Sequence, residues 1–409
     1  MSLVHWIWFA EKRLSHRTEK ALLDWRNDPA NVFYAQGDEF EKLGIAGEEL
    51  AKLLDKDLRG AENIIGRCAE KNIGIITIQD AAYPQRLKNI ADPPCVLYVK
   101  GHLPSVDTEP VIAVVGTRKC SLYGEKITRD ISYEMAAKGA VICTGLAEGI
   151  DSRAAEAALM AEGRVIGVLG TAIDEVFPRF NGRLFEDVAA RGAIISEYAP
   201  GFPGNKLAFP RRNRIIAGLS LAVVVPEAPF RSGALITVRH ALDNGRDVFA
   251  VPSNADSREG MGSNTLIQEG AGLVMSGWDV LREYKELFPD KISEKGPEKI
   301  SPKRYIPETK PQPSEEAKPL KDEPGKGFFK FRVPVRRAGK EDLASQLSGL
   351  NENQLKIVAV MTKPSMHVDD IIDLSAMPAS LVLSELTMLQ IKGFVSQETG
   401  KRFTLNITK

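Results

Sequence analysis

Cysteine and histidine are scarce in this sequence, and neither type is clustered with the spacing of metal ligands. The four cysteines are Cys68, Cys95, Cys120 and Cys143, with no C-x-x-C pair, and the five histidines are dispersed. This pattern argues against a disulfide framework and against a zinc site, and it is typical of a reducing cytoplasm. We therefore expect no metal and no other cofactor.

The sequence also lacks an excess of either charge and a long hydrophobic run. It has 54 Lys plus Arg and 54 Asp plus Glu in 409 residues, so any nucleic-acid site must be a local cationic patch. The apolar run Leu3 to Ala10 is short, holds two tryptophans and has no basic leader. We expect neither a secretory signal nor a membrane span, and hence a soluble cytoplasmic protein.

Common enzyme signatures are missing as well. The chain has no G-x-G-x-x-G, no G-x-x-x-x-G-K-[ST] and no G-x-S-x-G, the fingerprints of dinucleotide sites, P-loops and hydrolase nucleophiles. Asp151, Asp174 and Glu227 could serve acid–base chemistry, but their spacing pairs none of them. The sequence therefore offers few candidates for catalytic residues.

Composition divides the chain into four segments. They are an N-terminal helical, SAM-like domain (1–80), an α/β domain (81–288), a Pro/Lys-rich linker (289–345) and a winged-helix-like domain (346–409). Nine of the 24 prolines fall between Pro289 and Pro334, a composition that cannot bury a core. Within this linker, the segment Phe328 to Arg332 with Arg336-Arg337 is either a basic-aromatic arm or a docking segment.

The middle segment alternates short β-branched runs with amphipathic stretches, the pattern of βαβ units. Continuous apolar runs are typical of strands covered by helices on both sheet faces, so we expect a Rossmann-like, doubly wound, mostly parallel sheet. Its predicted strands are Val111–Val115, Ala140–Thr144, Val165–Leu169, Ala193–Ser196, Leu221–Val225, Asp247–Val251 and Leu273–Met275. Ligands of such sheets bind at the carboxyl ends of the strands.

Positive charge is concentrated between Asn205 and Ser220. No Asp or Glu occurs from Tyr198 to Pro226, yet this stretch contains the cations Lys206, Arg211, Arg212 and Arg214, together with Phe209 and Asn213. Cations beside an aromatic ring suit a phosphate backbone and a stacked base. Alternatively, Arg212 and Arg214 are structural and pair with Glu197 and Glu227. We expect Lys206 and Phe209 to precede a helix that Arg211 to Arg214 enter.

Glycine-bearing loops follow the predicted strands and open helices. They contain Gly116, Thr117, Arg118 and Ser121 after the first strand, Gly145 and Gly149 after the second, and Ser232 and Gly233 after the fifth. Glycine allows close backbone approach, and a helix N-terminus offers free N–H donors, so these loops predict an anion-binding edge. The alternative is that the glycines only turn the chain.

An ordered series of motifs closely resembles the bacterial DNA-processing protein A family, also called DprA or Smf. It runs G-T-R-x-x-S-x-Y-G (116–124), T-G-L-A-x-G-I-D (144–151), S-E-Y (196–198), F-P-x-R-N-R-I-I-A-G-L-S (209–220), S-G-x-L-I-T (232–237), V-F-A-V-P (248–252) and N-x-L-I-x-x-G-A (264–271). With an upstream match from Tyr83, the resemblance covers about 83–274.

The resemblance implies a Rossmann-like domain that binds single-stranded DNA, protects incoming strands in natural transformation and helps load the RecA recombinase. It implies a binding mediator, not an enzyme, that forms a homodimer and has single-stranded DNA-binding protein as a further partner. The family's phosphate-binding and base-stacking positions match Arg118, Lys206 and Phe209. The competing hypothesis is a nucleotide-processing enzyme of the phosphoribohydrolase type, whose P-G-G-x-G-T-x-x-E motif is not found at 227–237.

Overall fold

The computed structural model describes residues 2–294, 350–361, 365–375, 377–391, 394–398 and 402–405. The chain divides into two compact units, Met1–Lys310 and Pro311–Lys409. Most of the predicted linker, including Phe328 to Arg332 and Arg336-Arg337, lies outside the described residues. Lys291 and Ile292, which we assigned to that linker, still contact the first unit: Lys291 bonds to Glu109 (3.0 Å), and Ile292 is buried.

The first unit is built on a nine-stranded sheet with helices on both faces. Its strands are β1 (Gly74–Thr77), β2 (Val96–Gly101), β3 (Val111–Val114), β4 (Val141–Thr144), β5 (Val165–Leu169), β6 (Ala193–Ser196), β7 (Ala222–Val225), β8 (Asp247–Ala250) and β9 (Gly272–Leu273). Their spatial order is β1-β2-β6-β5-β4-β3-β7-β8-β9. All pairs from β6 to β9 are parallel, which confirms the mostly parallel, Rossmann-like fold.

Two strands were not predicted. β1 and β2 pair antiparallel with each other, and β2 pairs antiparallel with β6. They extend the sheet without a βαβ crossover, so the spacing rule that located the other strands does not detect them. The sheet therefore begins inside the segment assigned to the N-terminal helical domain.

Helices precede, connect and cover these strands. The N-terminal helices are α1 (Leu3–Glu11), α2 (His16–Arg26), α3 (Pro29–Phe33), α4 (Gly37–Lys42), α5 (Gly47–Leu54) and α6 (Arg59–Glu70). Those that follow are α7 (Gln85–Lys88), α8 (Leu122–Ala137), α9 (Ile150–Met160), α10 (Gly182–Arg191), α11 (Ala208–Leu219), α12 (Ala234–Asp243), α13 (Met261–Gln268) and α14 (Gly277–Leu281).

Side chains alternate along β3 between the two sheet faces. Ile112 and Val114 join the core that also contains Trp6 and Phe9 of α1, whereas Ala113 packs on the opposite face. Strand side chains point to alternate faces, so a fully apolar strand feeds two cores at once. The N-terminal helices therefore share one hydrophobic core with the sheet.

The second unit has the winged-helix architecture that we predicted. It contains α15 (Glu352–Val360), β10 (Ser365–His367), α16 (Val368–Ser375), α17 (Ala379–Ile391), β11 (Val395–Glu398) and β12 (Arg402–Leu405). The strands form a sheet in the order β10-β12-β11. Ile357, Ile371, Leu386 and Phe403 are buried in its core.

Candidate nucleic-acid interface

The carboxyl ends of β3 and β7 form the topological switch point of the sheet. β4, β5 and β6 lie to one side of β3, whereas β7 crosses to the other. The loops after β3, β4 and β7 are joined there by backbone hydrogen bonds: Thr117 donates to Glu227 (2.9 Å), and Ile150 donates to Thr117 (3.1 Å). We call this edge, with the start of α11, the rim. Open α/β sheets bind ligands at this location.

Arg118 and Phe209 meet on the rim. The guanidinium carbon of Arg118 lies 5.7 Å from the centre of the Phe209 ring, within cation–π distance. Arg118 is exposed and Phe209 is half-buried. Lys206 is also exposed and precedes α11 by two residues, while Phe209 lies in the first turn of α11 and not before it. The structure thus places two cations and one accessible ring at the same helix start.

Phe177 belongs to the same aromatic group, although our sequence analysis missed it. Its ring centre lies 5.3 Å from that of Phe209, and its side chain is 42% exposed. Phe180, three residues later, is 71% exposed. Both residues follow β5, whose carboxyl end faces the rim. Aromatic residues in the loop that follows a parallel strand are the signal that could have identified them.

Gly170 packs directly against Phe209. A Cβ atom added at Gly170 would lie 2.9 Å from Cδ1 and 3.0 Å from Cα of Phe209. The first turn of α11 therefore packs directly on the end of β5. This contact fixes the position of the ring relative to the sheet.

Arg212 lies in the interior and braces the sheet ends. It is 5% exposed. Its guanidinium donates to the carbonyl oxygens of Gly145 (2.8 Å) and Val168, which belong to the β4–α9 loop and to β5. Burial lowers the pKa of Arg212, and Asp151 opposes that effect. We assign Arg212 a structural role, because its donors are used inside the protein.

Arg214 is held between two carboxylates. Nε donates to Asp92 (2.8 Å) and Nη2 to Glu197 (2.6 Å), and the side chain is 5% exposed. Burial alone would lower the pKa of Arg214, but the two carboxylates raise it above its usual value. The predicted pairing with Glu197 is confirmed. Arg211 is 39% exposed and approaches the same carboxylates only at 3.6 and 3.8 Å.

Two of the predicted helix starts are filled by the protein's own carboxylates. Glu227 is 1% exposed and accepts hydrogen bonds from the backbone N–H (2.8 Å) and hydroxyl (2.6 Å) of Ser121, at the start of α8. Asp151, in the first turn of α9, accepts from Gly145 (3.1 Å), and burial raises its pKa. The hydroxyl and backbone N–H of Ser121 are thus used by Glu227, and no arginine among the described residues pairs with this carboxylate, contrary to the predicted alternative.

Close packing explains the glycines of these two loops. At Gly116 a Cβ atom would lie 2.6 Å from Ile150, and at Gly145 it would lie 2.2 Å from the Arg212 guanidinium. Gly149 has a φ of 82°, in the left-handed region that favours glycine. These glycines have structural roles in shaping the rim.

The start of α12 remains open. Gly233 is exposed, and an added Cβ would meet no atom within 4 Å. The hydroxyl of Ser232 accepts from the backbone of Ala234 (3.3 Å), while the Asn213 side chain donates to the Gly233 carbonyl (3.4 Å). Asn213 therefore links α11 to the start of α12, where the backbone N–H groups of Leu235 and Ile236 already donate to the carbonyl oxygens of Ser232 (3.1 Å) and Gly233 (3.2 Å).

Neither a metal-ligand cluster nor a membrane-spanning helix is found in the part of the chain that the structure describes. There, no group of three or more His, Cys, Asp or Glu side chains is placed to hold a metal ion. No helix in the same residues is long and apolar enough to cross a membrane.

Comparison with known proteins identifies the family. The profile of the family described as DNA recombination-mediator protein A matches residues 74–285, which include every loop of the rim. The chain belongs to this family. The profile of the DprA winged helix domain matches residues 341–401, in agreement with the second unit.

Relatives with assigned names support this membership. Protein Smf of Synechocystis is 36% identical over 341 residues, covering 82% of this chain and 80% of its own length. DNA processing protein DprA of Streptococcus pneumoniae is 45% identical over 213 residues, covering 51% of this chain and 73% of its own. A crystal structure of the pneumococcal protein aligns with a TM-score of 0.62 at 35% identity, covering 69% of this chain and 98% of that chain.

Proposed function

We propose that this member of the DNA recombination-mediator protein A family binds single-stranded DNA at the rim, through Arg118, Lys206 and Phe209. The main observation behind this proposal is that the exposed Arg118 guanidinium lies 5.7 Å from the centre of the half-buried Phe209 ring. Lys206 lies just before α11, the helix that contains Phe209. Base–aromatic stacking combined with phosphate contacts is how proteins hold single strands without reading sequence.

Several features support a single strand over a duplex. Phe177 and Phe180 enlarge the accessible aromatic surface next to Phe209, and stacking on such rings requires unpaired bases. The helix α17 of the second unit, which would be the recognition helix of a duplex-binding winged helix, contains Glu385 and no Arg or Lys. Glu385 accepts from Gln354 (2.7 Å) inside that unit.

The partners follow from family membership. We propose that the chain protects incoming strands in natural transformation, acts in the cytoplasm as a homodimer, and helps load RecA onto strands that single-stranded DNA-binding protein also occupies. The description of the family as a recombination mediator supports this role. Light scattering on the purified chain tests the dimer. RecA filament formation on strands covered by single-stranded DNA-binding protein tests the loading step.

Fluorescence anisotropy with labelled single- and double-stranded oligonucleotides, at two salt concentrations, tests the binding site. We expect tighter binding of the single strand, and weaker binding by Arg118→Glu and Lys206→Glu. Each lost phosphate contact should reduce the log–log salt slope by roughly 0.7. Arg191→Glu is a matched control, because Arg191 is exposed and lies just before β6, at the edge of the sheet opposite the rim. Equal affinity for wild type and both rim variants would refute the site.

The same preparation tests the alternative of a nucleotide-processing enzyme. Glu227 is its acidic candidate, but this carboxylate is buried and bonded to Ser121. Incubation with nucleoside monophosphates followed by chromatography should show no released base. Turnover that disappears in Glu227→Gln would favour the enzyme.

A further inference from the structure

Two arginines of the N-terminal helical segment flank the loop that leads into α11. The loop runs from Glu197 to Leu207 and contains Lys206. Arg13, which follows α1, places its guanidinium carbon 4.1 Å from the centre of the Phe202 ring. Arg67 of α6 lies directly over Gly201, where an added Cβ would be 1.9 Å from Nη2. The N-terminal segment therefore brings positive charge to Gly201 and Phe202, which precede Lys206 in the same loop.

The Arg13 guanidinium packs against two aromatic rings but keeps donors available. Phe202 stacks on Tyr198 at 4.4 Å with an interplanar angle of 10°, and the guanidinium carbon of Arg13 lies 4.1 Å from the centre of Phe202 and 5.6 Å from that of Tyr198. Its one ion pair within the described residues is a loose 3.7 Å approach to Glu11, and its side chain is 40% exposed. A guanidinium that packs against aromatic rings and stays partly exposed keeps N–H groups at its edge, where they suit a phosphate.

The backbone of Arg13 indicates that this side chain is required there. Its φ is 47°, in the left-handed region that glycine or asparagine adopts more easily just after a helix. Strained positions of this kind persist where the side chain contributes something else. The packing of Arg13 on Phe202 is such a contribution.

Arg67 offers the same kind of free charge. It approaches Asp174 only at 3.9 Å and is 43% exposed, whereas Lys71 forms the close ion pair with that carboxylate at 2.6 Å. Asp174 also accepts from the backbone of Gly201 (2.9 Å). The carboxylate is therefore largely satisfied without Arg67.

We infer that Arg13 and Arg67 form a second phosphate-binding subsite, which holds the same DNA strand after it leaves the rim. Phe202 and Lys206 are four residues apart, so their Cα atoms are separated by at most roughly 14 Å. A few nucleotides bridge that distance. The ligand is the sugar-phosphate backbone of single-stranded DNA, and this inference rests on the proposed function of the rim.

Oligonucleotide length separates the two subsites. A strand of about 3 nucleotides is too short to span both subsites and should occupy the rim alone, whereas one of about 20 nucleotides should reach both. We expect Arg13→Gly and Arg67→Gln each to weaken binding of the long strand by about 3- to 10-fold, with a salt slope lower by roughly 0.7. Binding of the short strand should not change. Lys206→Glu should weaken binding of both strands.

Thermal unfolding excludes a folding artefact. Arg13→Gly relieves the left-handed backbone but loses the contact with Phe202, so its Tm should stay close to that of the wild type. Arg13→Asn, which also tolerates this φ, repeats the measurement if glycine loosens the chain. Long-strand affinity that is unchanged in both the Arg13 and the Arg67 variants would overturn the inference. Equal losses for short and long strands would also overturn it. Short-strand binding that Lys206→Glu leaves unchanged would instead refute the rim site.

Discussion

Lys206 and Arg214 lie eight residues apart in the same cationic segment, and we predict that their removal has opposite consequences. Arg214 is 5% exposed and makes charged hydrogen bonds of 2.8 and 2.6 Å to Asp92 and Glu197. Removing one partner of a buried ion pair leaves uncompensated charge and costs about 3–5 kcal/mol. Here two carboxylates would be left together, so Arg214→Ala should fall at the upper end of that range. Lys206 is exposed, and Lys206→Ala should change stability by less than about 0.5 kcal/mol.

Urea unfolding followed by tryptophan fluorescence measures the change in stability, and DNA anisotropy at several salt concentrations measures the change in affinity. For Arg214→Ala we expect a lower midpoint at unchanged slope, with near-normal affinity per folded molecule. For Lys206→Ala we expect an unchanged midpoint and a smaller salt slope, by roughly 0.7.

Arg211→Ala provides an internal control of intermediate burial. The Arg211 side chain is 39% exposed and lies 3.6 and 3.8 Å from the carboxylates of Glu197 and Asp92. The loss of stability in Arg211→Ala should therefore lie between those of the other two variants, at about 1 kcal/mol. The reasoning would be refuted if Lys206→Ala destabilised the protein more than Arg214→Ala. A normal midpoint for Arg214→Ala would refute it equally.

Three further predictions concern the Phe209 ring, two glycines of the rim loops and pH. Phe209→Ala should weaken binding by about 1–3 kcal/mol in anisotropy, because a base loses its stacking partner; a fall in Tm with normal affinity would contradict this. Gly145→Ala should lower the Tm, since its Cβ would lie 2.2 Å from the Arg212 guanidinium, whereas Gly233→Ala, with open space, should not. Burial raises the pKa of Glu19 to about 7 from 4.5, so the folded protein holds this proton more tightly than the unfolded chain and loses stability as pH rises through 7. Glu19→Gln should therefore stabilise the protein by up to about 3 kcal/mol at pH 8 and by much less at pH 5, which urea titrations at both values would measure.

The apolar runs determined the sheet of the first unit without the structure. Runs such as Val111 to Val114 and Ala222 to Val225 are apolar at every position, a pattern that occurs where both sheet faces are covered. The helix starts at Leu122, Ile150 and Ala234 were likewise encoded locally, by the glycine and polar residues before them. β1 and β2 were missed because their antiparallel pairing depends on a distant strand, β6.

The sequence by itself located a cationic segment but could not sort its members. Lys206, Arg212 and Arg214 all carry positive charge, and whether each is free or paired depends on residues that are distant in the sequence. Gly145, Val168, Asp92 and Glu197 provide the partners of the two buried arginines, and only tertiary packing brings them within 3 Å of α11. Composition and periodicity thus determined where charge and strands occur, because those signals are local. Burial decided which charges can meet DNA, because it arises from contacts between distant parts of the chain.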